Sequence, residues 1–521
     1  MNLKLFSAVF TFIVTPLILP AQNHCPVIPQ PQQATLGNGQ FLLSQRTALV
    51  VSDASLKNAA LYLQQQMLQQ QHIAVAVQPA AKSLNRIILS IDKDFQNEEG
   101  YSLSVKPDAI EVSAATPQGV FYGTISLLQL LEQGKQTDEG LLMDCWNIKD
   151  APRYGWRGLM LDESRHFFGM EKVKSILNWM AYYKLNRFHW HLTDEPAWRI
   201  EIKNYPKLAL IGGIGTHTNP QSPAQFYTQQ QIAEIVNYAA ERNIVVIPEI
   251  DMPGHATAAN RAYPEFSGGG SEKHPEFTFN PGKPETYTYL ANILREVNAL
   301  FPSRMIHLGG DEVSFGNQKW QTNPDIKNLM GQNNLKNVHE VESYFMQRMA
   351  DTVYSLNAKL LAWDEVANMN FPTEKTIVFW WRHDQPAQLE KTLSKGYEAV
   401  ICPRLPLYFD FVQDSTHTVG RKWGKGFSPI EDVYRFDINT LPGVNAKTKK
   451  QVLGVQANVW TETMVRPDQL DFMLFPRIAA LSELGWTSSE RKDYEAFSQI
   501  LKTQFPLYRK EALNFYNPFK N

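Results

Sequence analysis

A chain of 521 residues is too long for one small domain and long enough for a barrel-sized domain with a smaller companion. Hydrophobic residues make up 43% of it and aromatic residues 12%, which excludes a disordered protein. The formal net charge is −2 and no basic tract occurs, so nucleic acid is not an expected partner.

The first residues read as an address. "MNLKLFSAVFTFIVTPLILPAQNHC" sets one cation, Lys4, before an apolar stretch that gives way to small and polar residues. This predicts a signal peptide over residues 1–21, cleaved near Ala21, and export to the periplasm or the medium. Pro16 and Pro20 interrupt the apolar run, and no stable membrane span is expected there or elsewhere. Lipid attachment at Cys25 is not expected either, because the preceding "QNH" lacks the small residues it follows. Cys25, Cys145 and Cys402 form no disulfide framework and have no ligand-like spacing, so neither a metal nor a cofactor is expected.

Residues 25–150 read as a small α+β domain. "TALVVSD" and "NRIILSID" are predicted strands, with an amphipathic helix, "ASLKNAALYLQQQMLQQ", between them. "GYSLSVKPDAIEVSAATPQGVFYGTISLLQLLEQG" predicts a hairpin and then a helix closed by Gly134. No dense cluster of acids, His or Cys marks this part as catalytic.

From residue 151 to 521 the rhythm changes. Apolar strands alternate with helical runs such as "EKVKSILNWMAYYKL" and "QIAEIVNYAAERN". The strands are "WRGLMLDES", "RFHWHLTD", "IVVIPEID", "RMIHLGGDE", "KLLAWDE", "TIVFWW", "YEAVICP" and "VLGVQANVW". This βα alternation predicts a (β/α)8 barrel with long loops. An open doubly wound sheet is the alternative, but no glycine-rich phosphate loop follows the first strand.

Most predicted strands end in polar or aromatic residues: Asp162 and Arg165, His191 and Asp194, Glu249 and Asp251, Asp311 and Glu312, Trp363 to Glu365, Trp381, then Trp460 and Glu462. In a barrel those ends share one face, where active sites lie. Acids, aromatic rings and an arginine suit glycoside hydrolysis. One carboxylic acid protonates the leaving oxygen, and a second group meets the cation developing at the sugar carbon. Adjacent Asp311 and Glu312 do not suit two opposed carboxylates. On a regular strand they point to opposite faces, though Gly309 and Gly310 can relax the strand so that both reach one pocket.

"HLGGDE" resembles the H-x-G-G-D-E signature of family-20 glycoside hydrolases, the β-N-acetylhexosaminidases. "RGLMLDESRHFF", "HWHLTDE", "PEIDMPGHA", "AWDE" and "NVWTE" resemble further family segments in the right order, and "GVFYGTISLLQLL" resembles the end of the family's small N-terminal domain. The resemblance implies an exo-acting enzyme that removes a terminal N-acetylhexosamine, the glycan being its partner. It implies Glu312 as general acid and later base, and Asp311 as the residue orienting the substrate's 2-acetamido group. That group attacks the anomeric carbon and gives an oxazolinium intermediate. A substrate that supplies its own nucleophile is an exception to the two-carboxylate plan.

The same resemblance places Arg165 at the closed end of the pocket, counts Asp194 among the substrate-binding residues, and sets Tyr408 on the acetamide oxygen. Asp410 and Glu462 fall on the outer hydroxyls, and Trp363, Trp381 and Trp460 are the walls, with Trp423 a further one. Asp251 and His255 match a relay behind the acid, with Asp251 holding the imidazole in one tautomer. Like charges push pKa values apart, so Glu312 is expected to stay protonated while Asp311 is ionised. One departure is visible: after "HLTD" the family continues Asp-Gln-Gly-Trp-Arg, but here Glu195, Pro196 and Ala197 precede Trp198. A monomer or homodimer is expected. Two other readings stay open. His189 and His191, two apart on a strand, with His255 and His307, suit a metal-dependent hydrolase. A barrel that binds glycans without catalysis is the other.

Overall fold

The computed structural model describes residues 24–78, 85–422 and 426–520. The predicted signal peptide and Trp423 lie outside them.

The predicted barrel is present. Eight parallel strands close on themselves: β1 (Trp156–Asp162), β2 (Arg187–His191), β3 (Val245–Glu249), β4 (Met305–His307), β5 (Lys359–Trp363), β6 (Thr376–Trp380), β7 (Glu398–Ile401) and β8 (Val452–Val459), which pairs back with β1. Their apolar runs are buried on both faces, as parallel strands covered by helices require. The covering helices show local reasons to form. Met170–Tyr182 buries Val173, Ile176, Leu177 and Met180 on one face. Gln229–Ala240 starts in a capping box between Thr228 and Gln231, and Asn337 caps Val338–Ser355.

Before the barrel lies a mixed sheet of eight described strands. The predicted strands are there as Ala48–Val51 and Arg86–Ile91, with the helix Lys57–Gln71 between them. The hairpin is Tyr101–Val105 with Ala109–Ala114, and its helix is Pro117–Glu132. A long antiparallel pair, Gln33–Leu43 with Gly140–Asp150, was not anticipated, because neither segment alternates cleanly. The sheet is tied to the barrel by Arg157, whose buried guanidinium donates to Glu99 at 2.8 Å, and by Lys184, 3.5 Å from Asp150. Cys25, Cys145 and Cys402 are buried and free. No helix among the described residues is long and apolar enough to cross a membrane.

Register positions the chemistry. His191 on β2 is level with Asp162 on β1 and Glu249 on β3, and Glu249 is level with His307 on β4. Four polar residues thus share one row of the barrel wall.

Candidate active site

β4 is shorter than predicted and ends at His307. Gly309 and Gly310 take left-handed backbone at φ 66° and 86°, and Glu312 follows at φ 51°. A Cβ on Gly309 would lie 1.8 Å from Asp251 Oδ1, so glycine lets the Asp251 carboxyl pack against the backbone. The chain turns twice where a strand would continue, and Asp311 and Glu312 both face one pocket.

That pocket has a volume of about 110 Å³ and sits at the C-terminal ends of the strands. Glu312, Asp311, His255, Arg165, Trp363, Trp381, Tyr408, Asp410, Trp460 and Glu462 all line it. Asp194 and Asp251 lie behind it. Larger cavities of about 810 and 900 Å³ open at the opposite end of the barrel, past Arg187 and Met305, and contain none of these residues. A cavity of about 560 Å³ shares Glu312, Trp381 and Arg404 with the pocket and runs past Phe315 and Glu342.

Asp194 is the hub of the closed end. Its Oδ2 lies 2.5 Å from Arg165 and 2.8 Å from His191 Nε2, and its Oδ1 lies 3.0 Å from His255 Nδ1. The departing sequence supports this placement. Glu195, Pro196 and Ala197 close a turn in which the Asp194 N–H donates to the Ala197 carbonyl at 3.2 Å, and Ser164 Oγ donates to the same carbonyl at 2.7 Å. His274 braces the turn from outside, 3.0 Å from Glu195.

The Asp251 assignment needs correction. Asp251 makes no hydrogen bond to His255, and both its carboxylate oxygens are buried without a protein partner among the described residues. Asp194 holds the imidazole instead. Burial and the neighbouring Asp311 push the Asp251 carboxyl well above the usual range, toward its neutral form.

His255 Nε2 faces the paired acids, 3.5 Å from Asp311 Oδ2 and 3.6 Å from Glu312 Oε2. Burial works against its charge, but Asp194, Asp311 and Asp251 outweigh it and raise it well above the imidazole range. The expected order of the two acids is also reversed. Burial, with Glu312, Glu249 and Asp194 adding, pushes Asp311 up to about 6. Partial burial would raise Glu312 too, but the neighbouring His255 imidazolium, with Arg165, holds it below its ordinary value. Glu312 is 33% exposed and Asp311 12%, so water also favours charge on Glu312.

The aromatic walls are in place. Trp381 and Tyr408 are parallel with centroids 6.3 Å apart, Trp363 and Trp460 meet at 5.9 Å, and the Arg165 guanidinium lies 5.0 Å above Trp460.

Sequence reasoning noted Glu249 at a strand end but gave it no role. It is the second hub: His191 Nδ1 lies 2.6 Å away, His307 Nδ1 3.0 Å, His189 Nε2 3.1 Å, and Trp363 Nε1 donates at 2.9 Å. The signal was the spacing of His189 and His191 on one strand beside Glu249 on the next. Burial opposes its charge, but His191, His307 and His189 hold it well below the carboxylate range. His189, Glu249 and His307 also have the spacing of a metal site, their ligand atoms within 4.8 Å of one another. Arg421 was missed too. It contacts both Asp410 and Glu462, and nothing in its local sequence marks it.

Comparisons with known proteins agree with this geometry. The model of "Glycosyl hydrolase family 20, domain 2" matches residues 24–151, and that of the "Glycosyl hydrolase family 20, catalytic domain" matches residues 154–489. A beta-hexosaminidase of Porphyromonas gingivalis is 32% identical over 507 residues, covering 94% of this chain. The chain spans only 64% of that relative's length. A beta-N-acetylhexosaminidase of Cellulomonas fimi is 30% identical over 495 residues, with 92% of this chain and 94% of the relative covered. The GH20 exo beta-N-acetylglucosaminidase of Vibrio harveyi, solved with N-acetylglucosamine, superposes with a TM-score of 0.88 at 29% identity over 95% of this chain and 79% of that one. The GH20 enzyme of Streptomyces coelicolor A3(2) gives 0.83 at 28% identity, with 95% and 98% covered. Matched through both of its domains, the chain belongs to glycosyl hydrolase family 20.

Proposed function

We infer that the protein is an exo-acting β-N-acetylhexosaminidase. It removes a terminal non-reducing N-acetylglucosamine or N-acetylgalactosamine from glycans or chitooligosaccharides, with retention of configuration. The observation that carries this is the entry of Asp311 and Glu312 into one pocket from the same turn, both within 3.6 Å of His255. Neighbours on one turn do not sit on opposite sides of a sugar ring. The other pocket carboxylates, Asp410 and Glu462, are tied to Arg421. The nucleophile is therefore the substrate's own acetamide oxygen.

Each residue then has a task. Arg165, Asp410 and Glu462 hold the ring hydroxyls by charge-assisted hydrogen bonds. Trp363, Trp381 and Trp460 wall the ring and the acetamido methyl, and Tyr408 donates to the acetamide oxygen. Asp311 accepts the acetamide N–H and stabilises the positive charge that grows there as oxygen attacks C1. Glu312 protonates the departing glycosidic oxygen, and then takes a proton from the water that opens the oxazolinium ring. His255, charged and facing Glu312 at 3.6 Å, is the source of that proton. The entering sugar excludes water from Glu312, raises its pKa and moves the proton onto it. The leaving group departs through the cavity past Phe315 and Glu342.

The Vibrio harveyi relative binds N-acetylglucosamine in a barrel of the same architecture, which supports the sugar class. The leader-like residues 1–21 support export. Hydrolysis of an aryl N-acetyl-β-glucosaminide by the purified protein tests the reading, with the product anomer followed by proton magnetic resonance. Terminal-sugar binding without turnover would make it a lectin-like barrel. The cluster of His189, Glu249 and His307 favours a second reading, a metal-dependent hydrolase, and activity that survives exhaustive chelation discards it.

A further inference from the structure

Arg421 sits in the long connection between β7 and β8, eleven residues after Asp410 in sequence, and faces two acids from different loops. Its Nε lies 3.0 Å from Asp410 Oδ2, and its Nη2 donates to Glu462 Oε1. All three side chains line the pocket and are largely buried. Each acid thus spends one oxygen on Arg421. The opposite oxygens, Asp410 Oδ1 and Glu462 Oε2, are buried and have no protein hydrogen-bond partner among the described residues. Buried unpaired acceptors are costly unless a ligand satisfies them.

The loop is also fixed by bonds that do not involve the Arg421 side chain. Arg421 N–H donates to the Asp410 carbonyl at 2.7 Å, and Val412 N–H donates to the Arg421 carbonyl at 3.1 Å. The same loop is clipped by buried Arg477, which donates to the carbonyls of Phe411 at 2.9 Å, Ser428 at 3.0 Å and Phe409 at 2.5 Å. These bonds do not involve the Arg421 guanidinium.

Resting on the hydrolase reading above, we propose that Arg421 is a positioning residue for substrate. Its guanidinium joins Asp410 and Glu462 into one clamp and aims their free oxygens at the outer hydroxyls of the terminal sugar. It also supplies the cation that lets both acids share a buried site. Asp410 is pushed up to about 7 by burial, with Glu462 adding, while Arg421 and Arg477 oppose the rise. Tyr408, Arg404 and Arg165 also line this pocket, and Arg165 feels the Glu462 charge. Without Arg421 the Asp410 carboxyl would ionise only at higher pH and lose its strength as an acceptor.

The test is steady-state kinetics of Arg421→Gln and Arg421→Lys on an aryl N-acetyl-β-glucosaminide, with pH profiles and calorimetric binding of free N-acetylglucosamine. Arg421→Gln is expected to raise KM and weaken sugar binding roughly tenfold or more, with kcat changed much less. The acidic limb of kcat/KM, which reports the free enzyme, is expected to move to higher pH. Arg421→Lys is expected to fall between Gln and wild type, because a point charge replaces a two-armed fork. An unchanged KM and acidic limb would overturn the proposal, as would a loss in kcat alone. If Arg421→Gln does not fold, Arg421→Lys is judged by the same readouts. A wild type that binds the sugar without turning over the glycoside defeats the hydrolase reading, and the change in binding then decides the clamp separately.

Discussion

Asp194 holds His255: their Oδ1 and Nδ1 atoms lie 3.0 Å apart, both side chains buried. The other imidazole nitrogen faces Glu312, so a buried carboxylate acts on the proton-transfer group through a charged ring. Asp194→Asn removes that charge and part of the Arg165 anchor together. A fall in kcat/KM of roughly 10- to 100-fold or more is expected, as for lost bonds to charged groups. Asp251→Asn replaces a carboxyl that burial drives toward its neutral form and that makes no hydrogen bond to His255, and it is expected to lose less. Kinetics of the two variants at one pH decide the order, and a larger loss for Asp251→Asn would contradict this reading of the relay.

Glu312→Gln keeps the shape and removes the transferable proton. Hydrolysis of oligosaccharides, whose leaving groups need protonation, is expected to fall by about 10²- to 10⁴-fold. An activated aryl glycoside is expected to lose much less in the first step, since its leaving group departs with little help. Equal losses on both substrates would count against Glu312 as the acid.

Asp311 is expected to make the acetamido group a reactant. Glucosides without it should be far poorer substrates than one lost hydrogen bond explains, and a thiazoline analogue of the cyclic intermediate should bind tightly. Asp311→Asn cannot stabilise positive charge on the substrate nitrogen and should lose most activity. The first product should keep the β configuration. An inverted product, or a glycosyl ester trapped on any carboxylate of the barrel, would rule the mechanism out.

The raised pKa of Asp311 links pH to both activity and stability. Its folded value of about 6 exceeds its unfolded value, so the folded state holds the proton more tightly. That contribution to stability is fully present below about pH 4 and is lost as pH rises through 6. Asp311→Asn never ionises, so it should be more stable than wild type at pH 8, by on the order of 3 kcal/mol, and should lose that advantage near pH 4. Activity runs the opposite way, with kcat/KM of the wild type falling as pH drops through 6. Thermal unfolding of both proteins across this range checks the sign, and a variant less stable at pH 8 would refute it.

Glu249→Gln is expected to destabilise the barrel by about 3–5 kcal/mol, because protonated His191 would lose one of its two anionic partners inside the protein. Denaturant unfolding measures the loss. A change below about 1 kcal/mol would mean that Asp194 alone sustains the histidine charge.

The barrel was legible in the sequence because each βα unit carries its own periodicity, and that pattern needs no knowledge of neighbours. Adjacent Asp311 and Glu312 behind two glycines were legible for the same reason. They are local, and they break the rule for a regular strand. The long pair Gln33–Leu43 with Gly140–Asp150 was not, since its two partners are about a hundred residues apart and only their pairing defines them. Nor was it legible that Asp194, rather than Asp251, would hold His255. Both acids follow barrel strands, and only the turn through Pro196 and the packing of Asp251 against Gly309 separate their roles. Protonation depended on the fold most of all. Two neighbouring acids are nearly equal in the chain, and burial of one with exposure of the other beside a charged imidazole decides which keeps its proton. Arg421 belongs to the same class: its charge is written in the sequence, but the two carboxylates it joins come together only when the loops after β7 and β8 meet at one end of the barrel.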